Sequence, residues 1–482
     1  MINEERRNAI GAQNSTAPAA PSLEKAELGF NRRDILRGLG LVVVDLVVPS
    51  GGKAQQTTRK LVGEAPGTNW AGNVKYEGEL FHPSSLGEIQ NLIRGASGVK
   101  VVGGRHSFSA VANTRPEGTL LSLDSFKTIS NVDRARLTVD VGAGVKYSDL
   151  CPVIARQGFT VENTASVLPI NVVGASATGT HGSGTQSLAA QITGLQFVNG
   201  KGELVRLSQK DGNDFSLTVV GLGGFGVVTG VTMKVVPNFE MRQRVWEEMP
   251  FDQFLKHFDK IMKAGYSVSA FTTWRGDTVS EVWVKRRATD GDSAPGSEWY
   301  GAKPAPRDRH PIVTMDPTPC TPQMGVVRQA WEILPHFRPD KPPSSRGHER
   351  HSEYSVPEKD AVAAMRALHA VGDKIGRALQ ISEIRTVKED NLALSMAYRR
   401  PSVLLHFTWT ENDADVTKAI PVVEEALRPF QPRPHWGKMS HLRGAELQEN
   451  FPKLDDFRKF CEKHDPAGRF RNSFLDESVF AD

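Results

Sequence analysis

Two pairs of polar residues in the second half of the chain sit two positions apart: Glu383 with Arg385, and His406 with Thr408. Both lie in β-favouring runs, Ile381 to Val387 and Leu404 to Trp409, and on a strand positions i and i+2 share a face. Two such strands side by side would present a carboxylate, a guanidinium, an imidazole and a hydroxyl to one cavity. Pro434-His435-Trp436-Gly437-Lys438 adds another imidazole and an ammonium. Such a set suits a hydroxylated substrate, with cations available to stabilise charge developing on an oxygen. Ordinary ion pairs on a solvated sheet face share this spacing, so the pattern alone does not name a reaction.

Glycine marks a second group of segments. They are Val101-Val102-Gly103-Gly104-Arg105-His106-Ser107-Phe108, the run Gly174 to Gly184 and the run Gly221 to Gly226. Small residues let backbone N–H groups close on a pyrophosphate. The last run matches G-x-G-x-x-G, but that fingerprint must lie between a strand and a helix. Val227 to Thr232 favours strand, so nicotinamide binding is rejected and a tight turn is expected. Three such loops, two of them with His and Ser or Thr beside Gly, point to a dinucleotide held in another way.

Other chemistries find no support. G-x-S-x-G and H-E-x-x-H are absent. His348 and His351 are three apart but lack a third ligand, so no metal is expected. Cys151, Cys320 and Cys461 are odd in number and widely spaced, which gives no disulfide framework.

The elements that must position these residues divide the chain. Apolar residues at 39% and charged residues at 24% mark a globular protein, and 482 residues suggest several domains of about 150 each. The net charge is only +4 and basic residues are dispersed, so no nucleic-acid partner is expected. Residues 1–54 read as an export signal: Arg32-Arg33, an apolar run from Leu39 to Val48, then Gly52-Lys53-Ala54. The paired arginines suit a twin-arginine signal, and the apolar run is short of the ~20 residues of a membrane span.

Strands are expected at Val99 to Val102, Leu137 to Val141, Val227 to Val236 and Val279 to Val284, with a hairpin around Asn199-Gly200. Ser85-Leu86-Gly87-Glu88 opens a helix, Phe251 to Ala264 and Pro357 to Ile375 read as helices, and Asp290 to Pro343 reads largely as loop. The expected fold class is α+β in two lobes, with boundaries at 55–238, 239–425 and a C-terminal segment 426–482.

From about Trp70 onward these segments resemble the vanillyl-alcohol-oxidase-type FAD-linked oxidases, and among them the alditol (xylitol/sorbitol) oxidases. Gly104-Arg105-His106-Ser107-Phe108 resembles the stretch whose histidine is joined to the flavin 8α-methyl group. Ala177 to Gly184 resembles the phosphate loop, His435-Trp436-Gly437-Lys438 the H-W-x-K motif, and Asp465 to Asn472 the family's ending. The resemblance implies a cofactor domain, a substrate (cap) domain on a mixed sheet, and a C-terminal segment that completes the site. It implies FAD tethered through His106 and contacted by Val101, Val102, Gly103, Gly104, Arg105, Ser107, Ser166, Asn171, Gly174, Thr178, Gly179, Thr180, His181, Val228 and His435. It implies a polyol held by Ser166, Glu383, Arg385, Thr408, Lys438 and His351, with His406 in the same pocket. Two positions depart from the pattern: His351 stands in place of Gln, which bears on substrate preference, and Asn171 in place of Ser.

The implied reaction moves a hydride from an alcohol carbon to the flavin and then electrons to O2, with hydrogen peroxide as product. Arg385 and Lys438 would stabilise alkoxide charge, Glu383 would fix Arg385 and accept a hydroxyl hydrogen bond, and either His406 or Lys438 would take the proton. A small Ala165 would leave O2 a path. An aldonolactone oxidase or dehydrogenase is the alternative. A non-catalytic sugar-binding protein would break the Glu383, Arg385 and Lys438 set, which is intact. Folded export through the twin-arginine machinery, to the periplasm or beyond the cell, agrees with a protein that takes up flavin first.

Overall fold

Ser85 stops the extended chain and starts the helix Leu86–Gly95. Its hydroxyl accepts the Glu88 amide at 3.2 Å, while the Glu88 carboxylate reaches back to the Ser84 amide at 2.6 Å. Ile89 and Ile93, four apart, form the buried stripe of that helix. The computed structural model to which this helix belongs describes residues 61–290 and 298–481. The export signal expected over residues 1–54 lies outside the described residues.

Three larger sheets follow one another along the chain, and Phe159–Thr160 pairs with Val236–Pro237 in a short fourth one. Glu79–Phe81, Thr119–Ser122 and Val99–Val102 form a parallel sheet with Thr119–Ser122 in the centre. Thr138–Gly142, Gly226–Lys234, Ile192–Asn199 and Leu204–Ser208 form an antiparallel sheet in that order, and the last two make the expected hairpin. Gly221 to Gly226 leads from the helix Gly212–Val219 into the strand Gly226–Lys234, the reverse of a strand–turn–helix dinucleotide motif. A Cβ on Gly221 would lie 2.2 Å from Phe225 Cε1, so the turn needs glycine there.

The third sheet has nine strands. Its path runs Lys303–Pro304, Glu240–Pro250, Thr278–Arg287, Ser267–Thr272, Leu379–Val387, Ser402–Trp409, Arg350–Pro357 and Arg433–Pro434, and Arg328–Gln329 also pairs with Glu240–Pro250. Every pairing in it is antiparallel, so the mixed sheet expected for this part is corrected. Tight reversals such as the one between Ser267–Thr272 and Thr278–Arg287 allow only antiparallel neighbours.

The helix expected over Phe251 to Ala264 is two short ones, Phe251–Lys256 and Phe258–Met262. His257 between them leaves helical geometry at φ −114°, its ring stacked on Tyr300 at 4.2 Å. The expected helix Pro357 to Ile375 likewise breaks at Val371 into Ala361–Ala370 and Gly372–Ile375. Cys151, Cys320 and Cys461 are buried free thiols. No described helix is long and apolar enough to cross a membrane.

Candidate active site

The nine-stranded sheet sets the polar residues in rows. His406 stands opposite Glu353 on one neighbouring strand and Glu383 on the other, and Thr408 stands opposite His351 and Ile381. Alternation keeps His351 with Glu353, His406 with Thr408, and Glu383 with Arg385 on one face. The C-terminal segment joins the same edge: the His435 amide donates to Glu353 O at 2.9 Å and the Met439 amide to His351 O at 2.8 Å, which brings Lys438 over the rows.

These residues open on a cavity of about 730 Å3, lined also by the three glycine-rich loops of the first half. Every expected cofactor and substrate residue lines it except Gly179, which turns the chain at φ +73° behind the lining. His106 lies 5.4 Å from Trp70, ring centre to ring centre. Burial, with Lys146 and His351 nearby, pushes the His106 imidazole down to about 4, so the ring is neutral at neutral pH. Phe108 N donates to Gly437 O at 2.7 Å and Ser109 Oγ to Trp436 O at 2.7 Å, which clamps the His106 loop to the H-W-x-K segment.

The backbone around these loops offers a dinucleotide unpaired amides. Arg105 sits at φ +60°, and the amides of Arg105, His106 and Ser107 have no acceptor among the described residues. The amides of Val173 and Gly174, at the start of the helix Val172–Ala177, also lack one. Free N–H groups at a left-handed residue and at a helix start are what a pyrophosphate takes up. Asn171 acts on the loops: its Oδ1 accepts the Gly104 amide at 2.7 Å and its Nδ2 donates to Gly144 O at 3.0 Å. A Cβ on Gly103 would meet that Oδ1 at 2.6 Å, so the glycine makes room for the brace. The residues fit FAD.

The polar end has a centre that the sequence analysis missed. Glu353 is fully buried and holds His181 Nε2 at 2.5 Å, Lys438 Nζ at 2.6 Å, His406 Nδ1 at 2.9 Å and Arg385 Nη2 at 3.4 Å. Burial alone would raise its carboxyl, but Lys438 and His181 hold it well below the usual carboxylate range. Its signal was present: it stands two residues after His351 in a β-favouring run. Lys438 is lowered by burial against the opposing pull of Glu353, and its Nζ lies 2.9 Å from His406 Nδ1. Burial and Lys438 hold His406 and His435 well below the ordinary histidine value.

Glu383 was expected to fix Arg385, and its Oε1 lies 3.3 Å from Arg385 Nε. That oxygen also holds His336 Nε2 at 2.6 Å, a partner missed because residues 290–343 read as loop. Burial would raise Glu383, but Arg385 and His336 bring it well below the carboxylate range. Arg385 Nη1 donates to Ser166 Oγ at 3.4 Å, and Thr408 Oγ1 lies 3.2 Å from His406 Nε2. His351 stacks on Phe108 at 4.2 Å, with Nε2 3.1 Å from Glu349 Oε1. His348 pairs with Glu411 at the surface instead.

The fold is that of flavin oxidases. Cholesterol oxidase from B. sterolicum superposes with a TM-score of 0.68 at 15% identity, over 87% of this chain and 97% of that one. Physcomitrella patens BBE-like 1 gives 0.63 at 15% identity, over 86% and 96%. A family model for an FAD binding domain matches residues 79–208, and one for D-arabinono-1,4-lactone oxidase matches 348–478.

Alditol oxidase of Streptomyces sp. is 40% identical over 412 residues, 85% of this chain and 97% of that protein, and the chain belongs to the alditol oxidase family. L-gulonolactone oxidase of Mus musculus is 26% identical over 86% of this chain and 97% of its own length.

Proposed function

We propose that this protein is an FAD-dependent oxidoreductase that oxidises a primary hydroxyl of a sugar alcohol to the aldose, with O2 reduced to hydrogen peroxide. One observation carries the reading: a single cavity joins the unpaired amides around His106 to the buried Glu383, Arg385 and His406 and the half-buried Lys438. The 40% identity to an alditol oxidase supports the polyol as substrate class. The bound flavin supplies the acceptor for a hydride and returns two electrons to O2.

The protein's part is orientation and charge. Arg385 and Lys438 face the hydroxyl being oxidised and stabilise the negative charge on its oxygen. Ser166, Thr408 and His351 bind further hydroxyls along the chain, so an analogue lacking one leaves a buried polar group unpaired. The proton leaves the substrate oxygen for His406 or Lys438, both lowered by burial and 2.9 Å apart. His106, neutral and without a protein hydrogen bond among the described residues, is the group we assign to the covalent flavin bond. The remaining lining of the glycine-rich loops, with Val228 and His435, contacts the cofactor. We also assign residues 1–54 to a twin-arginine signal, and with it an exported, periplasmic or extracellular location.

The lactone oxidase model over 348–478 favours a second reading, oxidation of an aldonolactone. Anaerobic mixing of the purified yellow protein with xylitol, sorbitol and a 1,4-lactone separates the two. Bleaching by a polyol, followed by peroxide on admitting air, is expected. Bleaching by the lactone alone overturns the polyol reading. Flavin in the pellet after acid precipitation is expected of the tether, and flavin in the supernatant removes it.

A further inference from the structure

Behind Glu383 lies the buried amino group of Lys285, which the proposed reaction does not use. We propose that Lys285 and His336 form a fixed hydrogen-bond chain that aims the Glu383 carboxylate at a substrate hydroxyl, which makes both of them positioning residues for the polyol. The inference rests on the polyol reading and adds to it.

Lys285, on the strand Thr278–Arg287, is 1% exposed. Its Nζ lies 2.6 Å from Leu334 O, 2.9 Å from Pro335 O and 3.1 Å from His336 Nδ1. Burial pushes the Lys285 ammonium down to about 7, so the direction of the chain is set from its other end. Against burial, Arg385 and His336 hold Glu383 well below the carboxylate range, so its Oε1 only accepts, and the proton of a neutral His336 ring lies on Nε2, 2.6 Å away. Nδ1 then carries a lone pair and accepts from Lys285 Nζ. The opposite tautomer would set the Nε2 lone pair against a carboxylate. Burial, helped by Lys285, pushes His336 down to about 4 against the pull of Glu383, so the ring stays neutral. The rings of Trp283 at 5.3 Å and Phe271 at 5.8 Å wall His336 in.

The consequence falls on the other carboxylate oxygen. Oε1 is taken by His336 and faces Arg385 Nε, whereas Oε2 has no partner among the described residues. Glu383 lines the cavity, so Oε2 is the acceptor left for a substrate hydroxyl. The same segment also holds Ser166: the amides of His336 and Phe337 donate to Ser166 O at 3.0 and 3.1 Å. One stretch of loop thereby sets two of the polyol contacts.

Two substitutions split the chain chemically. His336→Gln keeps an N–H near the Nε2 position and so still donates to Glu383. His336→Asn is too short to reach it. In the flavin-loaded enzyme, His336→Asn is expected to lower kcat/KM for the polyol roughly 100-fold, mostly through KM, while His336→Gln stays within about tenfold of the parent. Reoxidation of photoreduced flavin by O2 is expected to be unchanged in both. Equal losses in the two variants, or no loss in His336→Asn, overturn the chain. If the parent flavin is not reduced by any polyol, the functional reading fails instead, and the two failures are told apart by the parent alone.

Discussion

Glu353 holds together groups that would otherwise repel. Lys438, Arg385 and His181 all lie within 3.4 Å of its two oxygens, in a place with little solvent to screen them. Removing one member of a buried ion cluster costs more than the cluster contributes, because the remaining charges stay buried. Glu353→Gln is therefore expected to destabilise the protein by about 3–5 kcal/mol. It should also cut flavin reduction by the polyol at least 100-fold, since Lys438 and His406 lose their common partner. Denaturant titration and stopped-flow bleaching check the two effects, and a parent-like result in both removes Glu353 from the site. At this scale the sequence was legible wherever a motif or an i, i+2 pair marked the residue, as with Glu383, Arg385, His406 and Lys438. Glu353 carried the same spacing, two residues after His351, but its place at the centre depends on which strands lie opposite, and His336 lay in a stretch read as loop; both are tertiary facts.

Short elements of this chain are held by side chains that reach across to distant segments, and Asn472 shows how. It caps the helix Ser473–Ser478, with Oδ1 accepting the Leu475 amide at 2.9 Å. Its Nδ2 donates to Ala110 O at 3.1 Å and Asn113 O at 2.6 Å, in the chain just past the His106 loop. The cap and the clamp are one buried residue, 1% exposed. Asn472→Ala is expected to cost about 2–4 kcal/mol, from a lost N-cap together with carbonyls left unpaired in the core. A thermal melt that matches the parent's would show that the loop is held some other way. Strand positions were readable because alternation and β-branched runs act locally. The breaks at His257 and Val371 were not, since a ring stack on Tyr300 and the crowding of Gly372 against Trp274 O, 1.9 Å from where its Cβ would stand, come from far along the chain.

At the scale of the whole molecule, the cavity is where the three larger sheets meet. Val101 and Val102 come from the parallel sheet, Val228 from the four-stranded one, and Glu383 and His406 from the nine-stranded one. A ligand that fills such a space binds only the assembled protein, and so adds to its stability by mass action. The covalent bond proposed for His106 would remove the concentration dependence, because the bound group could not leave. Parent protein with its flavin attached is therefore expected to melt at one temperature whatever free FAD is added. His106→Ala keeps the unpaired amides of the loop but has no ring to bond, so it should bind FAD reversibly. Its Tm should climb steadily with the logarithm of free FAD, each tenfold rise above Kd adding about 1.4 kcal/mol. A flat Tm in His106→Ala, with flavin still in the pellet after acid, would mean that another residue carries the bond. A flat Tm with no flavin retained would mean that these three sheets do not close on FAD, and the site would have to be read again from its polar end.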